Sequence, residues 1–304
     1  MNIDKGDANM TARYINPYTD FGFKKLFGEE ASKDLLIDFL NAVLPPEYRV
    51  ATLEFRSSEQ LPDNTVDRKA IFDIACTGPN GELFTVEMQK AKQQWFKDRA
   101  LFYAAFPIQK QAQRGNWDFK LNPVFLVAIL DFEYDEEVER RELHRIVSLK
   151  DQNGEVFSEK LHLHFLQMPL FKKTETELHT KKDKWLYFLK NLESFDEIPA
   201  ILREPVFEQA FEVAEWVRYP SSLQDAYWAS RIAYWDNINT FNYAVDTARE
   251  EGLAKGIAEG RAEGRAEGRA ARDIEIARSM NQKGMETSLI AELTGLSTDE
   301  IERL

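Results

Sequence analysis

The sequence predicts an α/β fold, and three observations predict it: an apolar helical segment halted by a double proline, a hairpin closed by a short turn, and a continuous apolar run that follows a long helical stretch. Residues 32 to 44 (SKDLLIDFLNAVL) repeat apolar side chains at helical spacing, open on Ser32 as a candidate cap and stop at Pro45-Pro46. Tyr48 to Arg56 reads as a strand, and a polar loop leads from it to the hairpin at 67 to 89 (DRKAIFDIACTGPNGELFTVEMQ). Lys92 to Arg114 reads as a long helix with Pro107 as a kink point, and Pro123 to Phe132 as a buried strand of the parallel kind. Helix, three meandering strands, helix, strand is an order that needs a crossover connection. Beyond it, Glu133 to Glu142 reads as an acidic surface connection and Leu161 to Met168 as an edge strand; 181 to 247 is mostly helical, its aromatic stripes belonging to a core.

The hairpin turn decides which side chains share a face. Pro79-Asn80-Gly81 fits a three-residue loop, with Pro at the second position of a type I turn and Gly as the left-handed residue of the closing bulge. Gly78 and Glu82 then form the last pair, and counting back sets Asp73 opposite Glu87 and Ile71 opposite Gln89. The other face collects Phe72, Ile74, Phe84, Val86 and Met88 for a covering helix. A two-residue Asn-Gly loop would instead put the two carboxylates on opposite faces.

Carboxylates opposed on an antiparallel pair stand with Cβ atoms roughly 5 Å apart and repel. A hard divalent cation offsets the repulsion: Mg²⁺ accepts one or two carboxylates, keeps several waters and binds phosphate oxygens in its open positions. Asp73 and Glu87 are therefore candidate ligands for Mg²⁺, or for Mn²⁺ or Ca²⁺, in a phosphoryl-transfer site, the alternative being two acids on a solvated strand face.

Asp73 followed fourteen residues later by Glu87-Met88-Gln89 resembles the D…ExK signature of the PD-(D/E)XK nuclease superfamily. The chain is most similar to its Rpn-type family of recombination-promoting nucleases and transposases, whose members typically end the motif E-x-Q. Tyr18 to Gly28 (YTDFGFKKLFG), Val124 to Phe132 (VFLVAILDF) and the Gly-rich tail resemble that family too, so the resemblance covers nearly the whole chain. It implies a restriction-endonuclease-like core of order α-β-β-β-α-β with a helical C-terminal extension. It also implies a metal-dependent DNA endonuclease serving recombination, mobile-element activity or defence against foreign DNA.

Gln89 stands where most such nucleases carry a lysine, and a neutral amide orients water but supplies no charge. Lys69 shares the carboxylate face and is the nearer substitute, whereas Lys90 alternates to the opposite face. Lys24 and Asp20 are further candidates from the first helix, as a cation and a third acid; the alternatives are a solvated lysine and a helix cap. A catalytically weak relative that binds DNA or a partner as an oligomer is the competing reading.

A net charge of −13 opposes indiscriminate nucleic-acid binding, but Lys90 to Lys120 carries seven basic residues against Asp98 and Asp118. Lys92, Lys97, Arg99, Lys110 and Arg114 are the candidate DNA contacts there, unless they line a merely solvated helix. A 43% hydrophobic content with 21 Phe and 6 Trp indicates a folded chain. No long apolar run or signal-like N-terminus is present, so the expectation is a cytoplasmic protein without a membrane partner. A lone Cys76 excludes a disulfide framework and a multi-cysteine zinc site, and reads as a buried apolar residue. His162 and His164 share a strand face at a spacing that can ligate metal but more often marks surface histidines. No small-molecule cofactor is expected.

In the tail, Gly252, Gly256, Gly260, Gly264 and Gly268 recur every four residues, with Ala254 to Ala270 in the same period. Each glycine costs ~1 kcal/mol against alanine in a helix, so the segment calls for a partner and favours a homo-oligomer, or else it is a linker. Asp273 to Leu304 reads as three short helices broken at Gly284 and Gly295, in the manner of a helix-turn-helix, with Ser297 to Glu300 as a capping box. Its last helix is acidic, the wrong sign for the major groove, and suits docking or oligomerisation. The expected organisation is a nuclease-like core at 1–170, a helical extension packed on it at 171–248, and the Gly-rich helix with its docking module at 249–304.

Overall fold

The computed structural model describes residues 12–56, 59–60, 70–71, 73–92, 94–134 and 141–304, with backbone alone at 59–60 and 70–71. It divides into two compact units, Met1–Ile238 and Asn239–Leu304. In the first, helices α1 (Asp20–Phe27) and α2 (Lys33–Val43) precede strands β1 (Glu54–Phe55), β2 (Glu59–Gln60), β3 (Ala70–Ile71), β4 (Ile74–Thr77) and β5 (Leu83–Gln89). Helix α3 (Phe96–Gln109) then crosses to β6 (Val124–Leu130), followed by β7 (His144–Lys150), β8 (Val156–Gln167), α4 (Lys181–Asn191) and α5 (Pro205–Ala214). Helix α6 runs from Ser221 to Gln282, and α7 (Thr287–Thr294) and α8 (Thr298–Glu302) close the chain.

The main sheet has six strands in the order β1-β4-β5-β6-β8-β7, parallel across β5-β6-β8 and antiparallel elsewhere; β2 and β3 form a separate pair. Its β5 to β6 connection carries α3, as a parallel crossover requires. One face packs Ile74, Phe84, Val86, Met88, Phe125, Val127, Ile129 and Leu166 into the main core with α1, α2, α4, α5 and the start of α6. Helix α3 covers the other face, where Ala100 and Ala104 meet Leu126, Ala128, Leu130, Leu163 and Phe165. Every residue of β6 is buried, because both faces of that strand are covered.

The turn forms as its residues require: Gly81 adopts φ 86°, its N–H reaches the Gly78 carbonyl at 3.1 Å, and the Gly78 N–H reaches the Glu82 carbonyl at 2.8 Å. Ile74 consequently pairs with Val86 and Cys76 with Phe84. Beyond Ile74 the expected ladder stops. Ile71 pairs with Glu59 in the small sheet instead of facing Gln89, so the chain leaves the main sheet at Asp73.

Other expectations are corrected. The strand expected over 48–56 shrinks to Glu54–Phe55, since Pro46 to Tyr48 forms a 3-10 turn. Ser32 stands at the N-cap of α2 but makes no capping side-chain bond; its hydroxyl donates to the Lys25 and Glu29 carbonyls. Strand β8 is not an edge, because β7, unforeseen in the sequence, pairs outside it. Helix α3 is shorter than expected, starting after Trp95 at φ 63° and holding Pro107 in its last turn. Cys76 is buried, and burial pushes its thiol up to about 12.

In the second unit, the C-terminal part of α6 contributes Ala277 to a small core with Ile290 of α7 and Ile301 of α8. Gly284 and Gly295 break the helices at φ 75° and 73°, and Ser297 with Glu300 forms the capping box. The repeat glycines are fully helical, and apart from adjacent residues and the helix's own nearby backbone no atom among the described residues lies within 4 Å of where a Cβ would stand at any of them.

Glycine has opposite meanings in the two units. A Cβ on Gly22 collides with the Asn16 carbonyl oxygen and crowds the Thr19 hydroxyl, so Gly22→Ala is expected to lower stability by about 1–3 kcal/mol. Gly264→Ala, in open space, is expected to gain about 1 kcal/mol of helix stability. Thermal unfolding followed by circular dichroism reads both, and a neutral Gly22→Ala would contradict the packing described.

Candidate active site

The site is built where the hairpin leaves the sheet. Asp73 occupies the first position after the ladder and folds back so that its Oδ2 accepts the Met88 N–H at 2.8 Å, taking an amide that a continued ladder would have used. Asp73 directly precedes the last ladder pair, Ile74 with Val86, and its bond to the Met88 N–H holds its charge near enough to act on Glu87. Glu87 is only 5% exposed and points to the α3 side, among Gln89, Phe96, Arg99, Ala100, Tyr103, Leu126, Ala128 and Phe165.

The electrostatics follow from burial and proximity. Burial first, then the Asp73 charge, pushes the Glu87 carboxyl up to about 8; Arg99 and the Gln89 amide oppose the rise. Asp73 is raised by burial, against the pull of the Met88 N–H, while Asp20 adds to the rise and Lys24 and Lys90 oppose it. Glu87 Oε2 accepts from Gln89 Nε2 at 2.8 Å, whereas Oε1 is buried with no hydrogen-bond partner among the described residues. A buried carboxylate oxygen without a partner is costly and calls for a ligand or a proton.

The structure places the other candidates as follows. Thr19, not Asp20, caps α1, its Oγ1 accepting from the Gly22 N–H at 3.0 Å. Asp20 is in the exposed first turn, 3.0 Å from Lys24 Nζ, and both charges act on Asp73. Lys69 lies outside the described residues. Of the basic set, Lys97 and Arg99 are on α3, Lys110 follows its last residue, and Lys92 and Arg114 lie outside it, so the charges do not form one helical face. Lys97 lies over the Tyr134 ring at 5.3 Å, and Arg99 over the Tyr103 ring at 4.9 Å inside the Glu87 pocket.

Three contributors escape a reading by alternation. Lys90 follows the last residue of β5, is half-buried, and sits 5.8 Å from the Tyr234 ring; burial lowers its pKa while Asp20 and Asp73 raise it. Tyr103 lines the Glu87 pocket one helical turn after Arg99, a spacing visible in the sequence. Asp131 ends β6 with its N–H on the Gln89 carbonyl at 2.9 Å, and burial raises its carboxyl to about 6. As the first acid after seven apolar residues, it carried a sequence signal.

Asp73 and Glu87 fit a hard divalent cation, which needs only one or two carboxylates beside its waters. Among the described residues no group of three or more His, Cys, Asp or Glu forms an all-protein cage. The histidines do not: His164 shares a hydrogen bond with His144 at 3.1 Å, and His162 stacks on Phe125 at 4.7 Å.

Because the folded protein favours protonated Glu87, this group's contribution to stability is present below about pH 4.5 and lost as pH rises through about 8. Glu87→Gln removes that loss, so in EDTA the variant is expected to unfold at a higher temperature than wild type at pH 8.5 and to show no such advantage at pH 4. One pKa unit is worth about 1.4 kcal/mol. Parallel melts at the two pH values measure the difference, and a pH-independent gap would contradict the assignment.

Comparison with known proteins now bears on this geometry. Residues 271–304 match the family model described as the Rpn/YhgA-like nuclease family, C-terminal HTH domain. No curated protein and no solved structure matches the chain. Residues 17–244 match the family model described as PD-(D/E)XK nuclease family transposase, a span from the Tyr18 motif through Asp73, Glu87 and Gln89 into α6. A match over more than half of the sequence, on a sheet whose parallel crossover is the helix α3, places the chain in the PD-(D/E)XK nuclease family of transposases.

Proposed function

We propose that the protein is a divalent-metal-dependent DNA endonuclease, acting in recombination, mobile-element activity or defence against foreign DNA. The observation that carries the proposal is Glu87: a buried carboxyl that feels the charge of Asp73, with one oxygen left unpartnered among the described residues. Asp73 and Glu87 would hold Mg²⁺, Mn²⁺ or Ca²⁺, which when bound acidifies a water and stabilises charge on the phosphorus oxygens. The Met88 N–H fixes the Asp73 carboxylate, and Gln89 fixes Oε2 of Glu87, leaving Oε1 for the ion. Gln89 is the candidate for orienting the attacking water, although its amide nitrogen is engaged with Glu87. Lys24 and Lys90 balance the charge on the Asp73 side.

DNA is the proposed substrate. Lys92, Lys97, Lys110 and Arg114 are exposed around α3 and suit phosphate contacts. Exposed Trp95 and Phe119, the latter 77% exposed, offer faces for stacking nearby in sequence. The C-terminal unit is the less suited DNA reader, since α8 carries Asp299, Glu300 and Glu302.

The tail supports self-association. In α6, Glu259, Glu263 and Glu267 form one column and Arg261, Arg265 and Arg269 another, two residues on and so on the opposite side of the helix. Within one helix each column repels itself at i,i+4. Paired in parallel across the Gly or Ala seam, the Glu column of one helix meets the Arg column of the other on both flanks, whereas antiparallel pairing sets like against like.

Nicking of supercoiled plasmid with Mg²⁺, Mn²⁺ or Ca²⁺ tests the enzyme: metal-dependent cutting that Asp73→Ala and EDTA abolish is expected. A folded wild type that cuts nothing favours a DNA- or partner-binding oligomer, a reading motivated by the engaged Gln89 amide. Light scattering tests the tail: wild type is expected as an oligomer, and reversing Arg261, Arg265 and Arg269 to Glu is expected to dissociate it.

A further inference from the structure

We propose that the outer edge of strand β7 is a two-fold interface with a second copy of this chain, the two β7 strands pairing antiparallel with Ile146 opposite itself. The inference does not rest on the nuclease reading. In the main sheet β7 is the last strand, beyond β8, and among the described residues no strand pairs on its outer side. Such an edge presents unpaired amides and carbonyls, and proteins blunt it with proline, charge or a bulge. From Ile146 to Leu149 β7 has none of these: the register shift near its end arises in β8, since Ser148 pairs with His162 and Leu149 with Ser158. Ile146, Val147 and Leu149 are instead 51%, 39% and 43% exposed among polar neighbours.

Backbone hydrogen bonds fix the phase of the pairing. The Leu143 carbonyl accepts the Gln167 N–H at 2.8 Å, and the Asp151 N–H reaches the Glu155 carbonyl at 2.9 Å, so odd-numbered residues at both ends of β7 turn their backbone to the β8 side. Alternate residues of an antiparallel strand bond to opposite sides, which leaves His144, Ile146 and Ser148 to present N–H and C=O outward. A second β7 uses these groups only in a register that opposes even-numbered residues to even-numbered ones. Centred on Ile146, the register pairs Ile146 with its copy and His144 with Ser148 twice, for roughly six backbone hydrogen bonds.

The side chains choose among the registers that this phase allows. Centred on Ile146, Glu142 opposes Lys150, Arg141 opposes Asp151 and Leu143 opposes Leu149, each pair formed twice. Centring on Arg145 sets that guanidinium against its own copy, and centring on Val147 sets Arg145 against Leu149 and Leu143 against Asp151. The edge is complementary in charge to itself in one alignment, which makes a second copy its occupant in preference to a strand of another protein. Arg141 also holds Glu133 at 3.0 Å, so the Glu142 and Lys150 pairs are the more telling. Pairing uses the outer edge of both β7 strands, so the contact closes as a dimer and joins two six-stranded sheets into one.

The test uses the full chain with Arg261→Glu, Arg265→Glu and Arg269→Glu, which removes the tail contact and leaves β7 as the interface under study. Sedimentation equilibrium reads the mass. The dissociation expected of that variant then stops at a dimer, twice the chain mass. Adding Ile146→Lys sets a lysine against its own copy, and the product is expected to be a monomer with the circular dichroism of its parent, since Ile146 is half exposed. Glu142→Lys alone and Lys150→Glu alone, both at exposed positions, are each expected to weaken the dimer about tenfold, and together to restore it to within about threefold. A chain that is already monomeric before Ile146→Lys is introduced overturns the inference, even where another protein's strand is found to take the edge. So does a dimer that survives Ile146→Lys, or a loss in the single charge variants that the double variant fails to recover, which would put the contact elsewhere or in another register.

Discussion

Two carboxylates meet at the end of a largely buried strand pair, and much of the first unit is arranged around that repulsion. Asp73 comes near Glu87 because Pro79-Asn80-Gly81 closes the hairpin with a bulge and sets the register up to Ile74 and Val86, one residue short of the two acids. Glu87 is buried because α3 covers that face of the sheet, and burial denies it the water that would screen Asp73. Cations then come from three separate elements: Lys24 from α1, Lys90 from beyond the end of β5, and Arg99 from α3. The buried, unpartnered Glu87 oxygen amid this charge is the feature on which the proposed metal site rests.

The geometry of α1 depends on contacts far away in sequence. Asn16 accepts the Tyr18 N–H on its side chain and the Thr19 hydroxyl on its carbonyl, and its own N–H reaches Tyr227 of α6 at 2.9 Å. The Asn16 amide also donates to Glu193, which pairs with nearly buried Arg231 at 2.9 Å. The Phe21 N–H is taken by Ser230, and the Ile15 N–H by the Ala214 carbonyl. The opening motif is therefore a clamp: Thr19 and Gly22 start the helix, and the segment from Glu193 to Arg231 holds it so that Asp20 and Lys24 act on Asp73. This is why residues 171–238 belong to the same compact unit as the sheet.

What the sequence revealed depended on how local the determining interaction was. The hairpin register was legible because a short turn has few geometries, and β6 because a seven-residue apolar run suits a strand covered on both faces. The polar edge strand β7 was not legible, since an edge needs no apolar face and HRIVSLK alternates only weakly. Helix α3 was overextended because the run of basic residues continues past both of its ends. Alternation put Lys90 away from the carboxylates, but alternation holds only inside a strand, and β5 ends at Gln89. Arg99 was legible as a basic residue, but its place beside Glu87 depends on how α3 crosses the sheet.

The second unit has the converse economy. Five exposed glycines weaken a helix by roughly 1 kcal/mol each, and nothing among the described residues of the same chain packs against them to recover it. The Arg and Glu columns add like-charge repulsion along the same stretch. Both penalties would be offset in the proposed arrangement: a second copy, parallel and close, for which glycine permits the approach and each charge column meets its opposite. A period of four residues exceeds 3.6, so such a seam drifts toward a right-handed crossing, and contact is limited to the few turns in which the columns stay aligned. Parallel pairing also brings the N-terminal ends of both tails together. In the proposed dimer a second copy would bring a second Asp73 and Glu87 pair, which the proposed activity would need to cut both strands of a duplex.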